Sequence, residues 1–212
     1  VVRRDVRLLD QAGRSLGALV EIASPDHRPL TRARALALCG AGLSALAAVA
    51  GHQAARAQAR TMFDAAADQF TPDHSPLDWV AIQILHAGDA AQSLMLLAQA
   101  ESLTQGRELV LGALVRERRI TREVALAEAV GDLAALMTLE TRLRARMTEA
   151  TPLDWSADQI GMAEILLSRR RLTGVEAGGL GLILGEAAMT ARERGVDVLA
   201  ERADSLLTMS RS

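Results

Sequence analysis

The chain has 212 residues, a net charge of −2 and a single cysteine, with half of its residues hydrophobic but only two Phe, two Trp and no Tyr. That length suffices for one domain or two small ones with a sizeable core. The near-neutral charge excludes a strongly electrostatic nucleic-acid binder, and the lone Cys39 excludes both an internal disulfide framework and a cysteine-based zinc site.

The apolar fraction is mostly Ala and Leu, the strongest helix formers, while β-branched and aromatic residues are scarce. An all-α fold is expected. Lysine is absent, so Schiff-base catalysis and a P-loop lysine are both excluded.

Taken in order, the chain begins with a basic stretch (Arg3, Arg4, Arg7), then Leu9-Asp10 and LGALV at 16–20. The same LGALV returns at 111–115 after Leu103-Thr104, and LGLIL at 180–184 follows Leu172-Thr173. Asp or Thr can cap a helix by accepting a hydrogen bond from an orphan backbone N–H, and Thr173 to Glu176 has the form of a capping box. These cues predict helices over 9–22, 104–117 and 173–193, with a hairpin of strands over 5–22 as the alternative for the first. A glycine inside each LG helix is explained if a second helix crosses closely there.

A second kind of unit starts at Thr31 and Thr121, where TRARALALCGAGLSALA aligns with TREVALAEAVGDLAALM, and more distantly at Asp197. It predicts helices over 31–69, with a break near Gly51-His52, and over 121–149 and 197–209. Ala35 to Gly51 is apolar or small throughout and resembles a signal peptide or a short membrane span. It is short for a bilayer, and its counterpart carries Glu123, Glu128 and Asp132. A buried helix is therefore expected, in a cytoplasmic protein.

The third unit is the most regular. PLDWVAIQILHA from Pro76 and PLDWSADQIGMA from Pro152 agree at eight of twelve positions and contain both tryptophans. Ser75 and Thr151 are N-cap candidates, each proline stands at the first helical position, and Asp78 and Asp154 fall in the first turn. Helices are predicted over 76–101 and 152–170. Together these spans describe an internally duplicated bundle or short helical-repeat array of about seven to eight helices. Pseudo-repeat A covers 28–117, pseudo-repeat B covers 118–193, 194–212 is a partial third copy, and 1–27 is a further partial copy.

Candidate chemistry is thin. Asp78 and Asp154 form an acid/base pair only if two halves bring them face to face, and capping explains both. His86 and Asp89 have metal-ligand spacing, but Met162 and Ile165 stand at the matching positions of the second copy; His27, His52 and His74 share no spacing. No metal, cofactor or catalytic residue is assigned. The residues singled out for partner binding are Trp79, Trp155, Arg116, Arg119, Arg169, Arg170 and Arg171. The arginine groups 116/118/119, 142/144/146 and 169–171 are read mainly as solvated faces and helix C-terminal charges.

VLGALVRERRITREVALAEA, Val110 to Ala129, resembles the N-terminal domains of type II secretion and type IV pilus ATPases. There an L-G-x-x-L-V segment leads through a turn to Ile-Thr and a following helix, and some versions bind cyclic di-GMP. Val110 stands where the nucleotide-binding pattern has Arg, and Arg119 where it has the turn glycine. The resemblance implies a shared way of packing a helical hairpin.

The function expected from the sequence is a helical protein–protein interaction module (adaptor, regulator or assembly subunit) that engages a protein partner or a second copy of itself. A sensor holding an anionic small molecule through its arginines is the alternative, and an all-α enzyme with an unrecognised site is the third reading.

Overall fold

The computed structural model describes residues 6–86, 90–176 and 178–210. The chain divides into two compact units, Val1–Gly88 and Asp89–Ser212. Unit 1 holds α1 (Val6–Ile22), α2 (Pro29–Ala50), α3 (Gln53–Ala67) and α4 (Pro76–Leu85). Unit 2 holds α5 (Ala90–Thr104), α6 (Leu109–Val130), α7 (Leu133–Met147), α8 (Pro152–Thr173), α9 (Leu180–Glu193) and α10 (Asp197–Ser210). The described residues contain no strand, so the all-α expectation holds and 6–22 is helix rather than hairpin.

Among the described residues ten helices replace the expected seven to eight, because two long spans are each divided. Span 31–69 breaks where expected: Gly51 adopts φ +65°, a conformation costly for any residue with a Cβ, and ends α2. The His52 Nδ1 then caps α3 by accepting from the Ala55 N–H at 3.3 Å. Span 76–101 ends early, at Leu85. Thr104 closes α5 instead of starting an LG helix, and its hydroxyl donates back to the carbonyls of Ala100 and Glu101.

The expected turn between 117 and 121 does not exist. α6 runs without interruption through Arg118-Arg119-Ile120-Thr121, so the hairpin implied by the secretion-ATPase resemblance is corrected to a single helix. The boundary drawn between the pseudo-repeats, at 117/118, falls inside it. The turn lies further on, at Gly131 (φ +72°), with the Asp132 carboxylate capping α7 by accepting from the Ala135 N–H at 2.9 Å. Thr173 likewise ends α8 rather than capping α9; its hydroxyl donates to the Arg169 carbonyl.

The segment Ala35 to Gly51 belongs to α2, and among the described residues no helix is long and apolar enough to cross a membrane. In unit 1, α2 packs against α1, α3 and α4. In unit 2, α8 is the central helix and packs against α6, α7, α9 and α10. One face of α8 contributes Ala157, Ile160 and Ala163 to a core shared with α9 and α10. Met162 and Ile165 join Ile120, Leu136 and Leu143 on the side of α6 and α7.

The tightest helix crossings are not at the LG glycines. A Cβ built on Gly17 or Gly181 would meet nothing within 4 Å, and one on Gly112 would make ordinary contact with Thr104 of α5 at 3.5 Å. The tight places are Gly161, where a Cβ would lie 2.5 Å from Ile120 Cγ2, and Gly40, where it would lie 2.7 Å from the Phe63 ring.

The two PLDW helices start with the same letters and different bonds. Thr151 caps α8: its hydroxyl accepts from the Asp154 N–H at 3.2 Å and donates to Asp154 Oδ2 at 2.9 Å. Ser75 makes no cap bond; its hydroxyl turns back to the N–H and carbonyl of Thr71. Asp78 instead takes a bidentate pair from Arg34, at 2.9 and 2.6 Å. Trp79 is buried, and Trp155 is half-buried.

Candidate functional site

α5, α6, α7 and the start of α8 surround a polar cleft of about 400 Å³ in unit 2. Its walls include Glu101 and Thr104 from α5, Arg116 and Arg119 from α6, Arg146 from α7, and Asp154 from α8. Arg116 and Arg119 lie mid-helix rather than at the helix C-terminus expected for them, which turns them inward toward neighbouring helices.

The charges in and beside this cleft balance. Arg119 donates to Glu101 at 2.7 Å and to Glu123 at 3.2 Å, and Arg142 also pairs with Glu123. Arg146 grips Asp158 with two nitrogens, one at 3.1 Å. Arg116 sits among Glu101, Asp154 and Asp158 at 3.4, 3.6 and 3.6 Å. Its Nε is buried and has no hydrogen-bond partner. Three guanidinium groups (Arg116, Arg119, Arg146) thus face three carboxylates (Glu101, Asp154, Asp158), which leaves no net positive charge to attract an anion. Asp158 is fully buried, and this desolvation pushes its carboxyl above the ordinary aspartate value while the Arg146 and Arg116 guanidinium groups oppose the rise.

A second buried group lies deeper on α8. Glu164 accepts from Thr121 at 3.0 Å and pairs with Arg202 of α10, which also approaches Glu117 at 3.4 Å. Burial raises the Glu164 carboxyl as well. Thr121, expected to cap a helix, therefore cross-links α6 to α8.

The remaining arginines singled out from the sequence lie at the end of α8, each with a partner. Arg169 pairs with Glu140 at 2.7 Å. Arg170 pairs with Glu176 at 3.3 Å and donates to the Ser210 carbonyl at 3.2 Å. Arg171 makes a fork to both oxygens of Glu128 at 2.6 Å, and Ser168 donates to the same carboxylate at 2.7 Å.

The Arg171 fork holds the Glu128 carboxyl below its ordinary value of 4.5. A carboxyl depressed in the folded state contributes stability above its unfolded value and loses it as pH falls through the folded one. Glu128→Gln is accordingly expected to flatten the loss of melting temperature between about pH 6 and pH 3. Asp158 and Glu164, being raised, act with the opposite sign: their protonation favours the folded state on acidification. A melting series of wild type and Glu128→Gln over that range checks the sign.

Asp78 and Asp154 lie in different units, and each has local partners of its own: Arg34 for one, Thr151 and Arg116 for the other. His86 ends α4 with its Nε2 2.6 Å from Asp64, and its proposed metal partner Asp89 lies outside the described residues, as do Arg3 and Arg4. Among the described residues no three His, Cys, Asp or Glu side chains gather as a metal site would require.

One surface feature escaped the sequence reading. Val130, Leu133 and Met137 stand exposed where α6 turns into α7, at 79, 37 and 57%. Every residue from 129 to 135 is exposed, and Asp132 is the one charge among them. Leu133 and Met137 have the four-residue spacing of one face of α7, and Val130 stands at the end of α6 on the other side of the Gly131 turn. The continuous helix expected over 121–149 ran through this turn and so did not show it.

Comparison with protein-family models, curated proteins and solved structures finds no match to this chain.

Proposed function

We propose that the protein works by binding, as a helical interaction module, and that the α6–α7 corner of unit 2 receives an apolar face of a protein partner or of a second copy. The observation that carries this is the trio Val130, Leu133 and Met137. An apolar patch bounded by polar groups is the anatomy of an interaction surface. Here the flanking Glu128 and Glu140 are already engaged with Arg171 and with Arg144 and Arg169. Methionine adapts its shape to a partner surface. The corner is held firm by the Gly131 turn and the Asp132 cap, so little order must be gained on docking.

The anionic-sensor reading has less support, because Arg116, Arg119 and Arg146 already face carboxylates. The enzyme reading has less support, because Asp78 and Asp154, its acid/base candidates, lie in different units with local partners of their own.

Val130→Glu with Met137→Glu tests the proposal. Both side chains are exposed, so the melting temperature is expected to stay within a degree or two. Sedimentation equilibrium and quantitative co-purification are then compared with wild type. Loss of self-association, or at least a tenfold loss of a retained partner protein, supports the corner as the docking surface. Equal mass and equal recovery overturn it.

A further inference from the structure

The polar cleft of unit 2 is crowded with ion pairs, yet not every polar atom in it is used. It lies along the first half of α6, away from the Gly131 corner, and its use is independent of docking at that corner. Ala98, Gly106 and Gly112 add little bulk to its walls. Its volume of about 400 Å³ lies within the roughly 300–1,000 Å³ of small-molecule sites.

Three observations bear on what it takes. First, the Arg116 Nε is buried without a hydrogen-bond partner. Its neighbours Glu101 Oε1 and Asp154 Oδ1 stand at 3.4 and 3.6 Å. Both lie beyond the roughly 2.7–3.2 Å of an N–H···O bond. A buried donor left unbonded costs free energy, so a group that accepts from it is favoured there. Second, the cleft has acceptors to spare. Asp154 Oδ2 accepts from Thr151, but among the described residues its Oδ1 meets only Arg116, at 3.6 Å. Glu108, the N-cap residue of α6, lines the cleft and makes no side-chain cap bond. Its carboxylate has no ion-pair partner among the described residues. Third, the charges exclude the simplest ligands. Arg116, Arg119 and Arg146 line the cleft with Glu101, Glu108 and Asp154, and Asp158 lies buried behind them. That set has no positive excess, so a plain anion is not attracted. A plain ammonium ion would leave the Arg116 Nε unbonded and add a cation beside three guanidinium groups.

We propose that this cleft binds a small zwitterion of the free α-amino-acid class, its carboxylate accepting from the Arg116 Nε and its ammonium donating to Asp154 Oδ1 and Glu108. In an α-amino acid the two charged groups hang from one carbon, which suits an open donor and an open acceptor only 3.6 Å apart.

The full chain is melted with glycine, L-serine, L-leucine, L-glutamine, L-glutamate or L-arginine at fixed pH and ionic strength. At about 10 mM, at least one should raise the melting temperature by about 3 °C or more, since a ligand bound only by the folded state stabilises it. Isothermal titration of that amino acid then gives its Kd. Its N-acetyl derivative and its amide each lack one charge and should bind at least about tenfold more weakly. 6-Aminohexanoate, whose charges lie far apart, should do the same. Glycine betaine, an excluded osmolyte without N–H groups, should give no shift.

Glu108→Gln should keep the helical circular dichroism of wild type and weaken binding about fivefold. Arg116→Lys keeps the charge and removes the Nε, and should weaken it about tenfold. If that variant loses its helical signal, Glu108→Gln and the derivatives decide. No shift with any of the six amino acids overturns the proposal. So does an N-acetyl derivative or an amide that binds as tightly as its parent. An equal shift from acetate or methylammonium also overturns it, because one charge alone then suffices. An unchanged Kd in Glu108→Gln overturns it too, because the ligand then sits elsewhere.

Discussion

Asp158→Ala is expected to lower the stability of unit 2 by about 3–5 kcal/mol, the largest loss of any single truncation in the polar cleft. Asp158 is fully buried and holds Arg146 in a two-pronged pair while facing Arg116 at 3.6 Å. Removing the carboxylate takes the nearest counter-charge from Arg146 and one of three from Arg116, and a buried unpaired charge costs far more than the intact pair contributes. The pair itself is not the source of net stability. Replacing Asp158 and Arg146 together by apolar residues of similar size should restore much of the loss. Urea unfolding in a Trp79→Phe background isolates unit 2, because Trp155 is then the only tryptophan. The midpoint should fall with an unchanged slope. A single variant within 1 kcal/mol of wild type would show that the two guanidinium groups do not depend on the Asp158 carboxylate.

Gly161→Val is the second large effect, at about 3 kcal/mol. Alanine and valine both improve on glycine as helix formers, so an exposed glycine replaced in this way would gain stability. At Gly161 the new Cβ would stand 2.5 Å from Ile120 Cγ2 and 3.1 Å from its Cδ1. The Cγ2 methyl is fixed to the branch point and cannot swing away as a chain end can. α6 and α8 must then separate, and the core of Ile120, Met162 and Ile165 loosens with them. Ile120→Ala removes the obstructing methyl. The double variant is expected to be about 2 kcal/mol more stable than the sum of the two single losses predicts. Strict additivity would show that the crossing is not where the two residues meet.

The helical class was readable from Ala and Leu, and so were the helix starts at Pro76 and Pro152 and the break at Gly51, because these depend on local chemistry. The misplaced boundaries have a common cause. Threonine serves as an N-cap only when its hydroxyl reaches forward to the N–H groups of the turn that follows it. The Thr121 hydroxyl meets Glu117 and Glu164 instead, and Thr104 donates back to Ala100. Gly131 was the better marker of the turn, since its positive φ is a backbone requirement rather than one use of a versatile hydroxyl. The polar cleft was hidden for a different reason. Arg146 and Asp158 are twelve residues apart on different helices, and Thr121 and Glu164 forty-three. Sequence spacing along one helix cannot show such meetings. The matched PLDW stretches show the same limit: Asp78 answers to Arg34, while Asp154 answers to Thr151 and Arg116.

Ala- and Leu-rich helices present nearly uniform faces, and a uniform face can slide. α8 cannot do so cheaply. Ser156 donates to the Ala187 carbonyl, Asp158 holds Arg146, Glu164 holds Thr121 and Arg202, and Ser168 donates to Glu128. Displacing α8 by a single turn, about 5.4 Å, would strand all four inside the core and would carry a residue with a Cβ into the place of Gly161 against Ile120. These four polar residues, together with Gly161, therefore fix the register of the central helix.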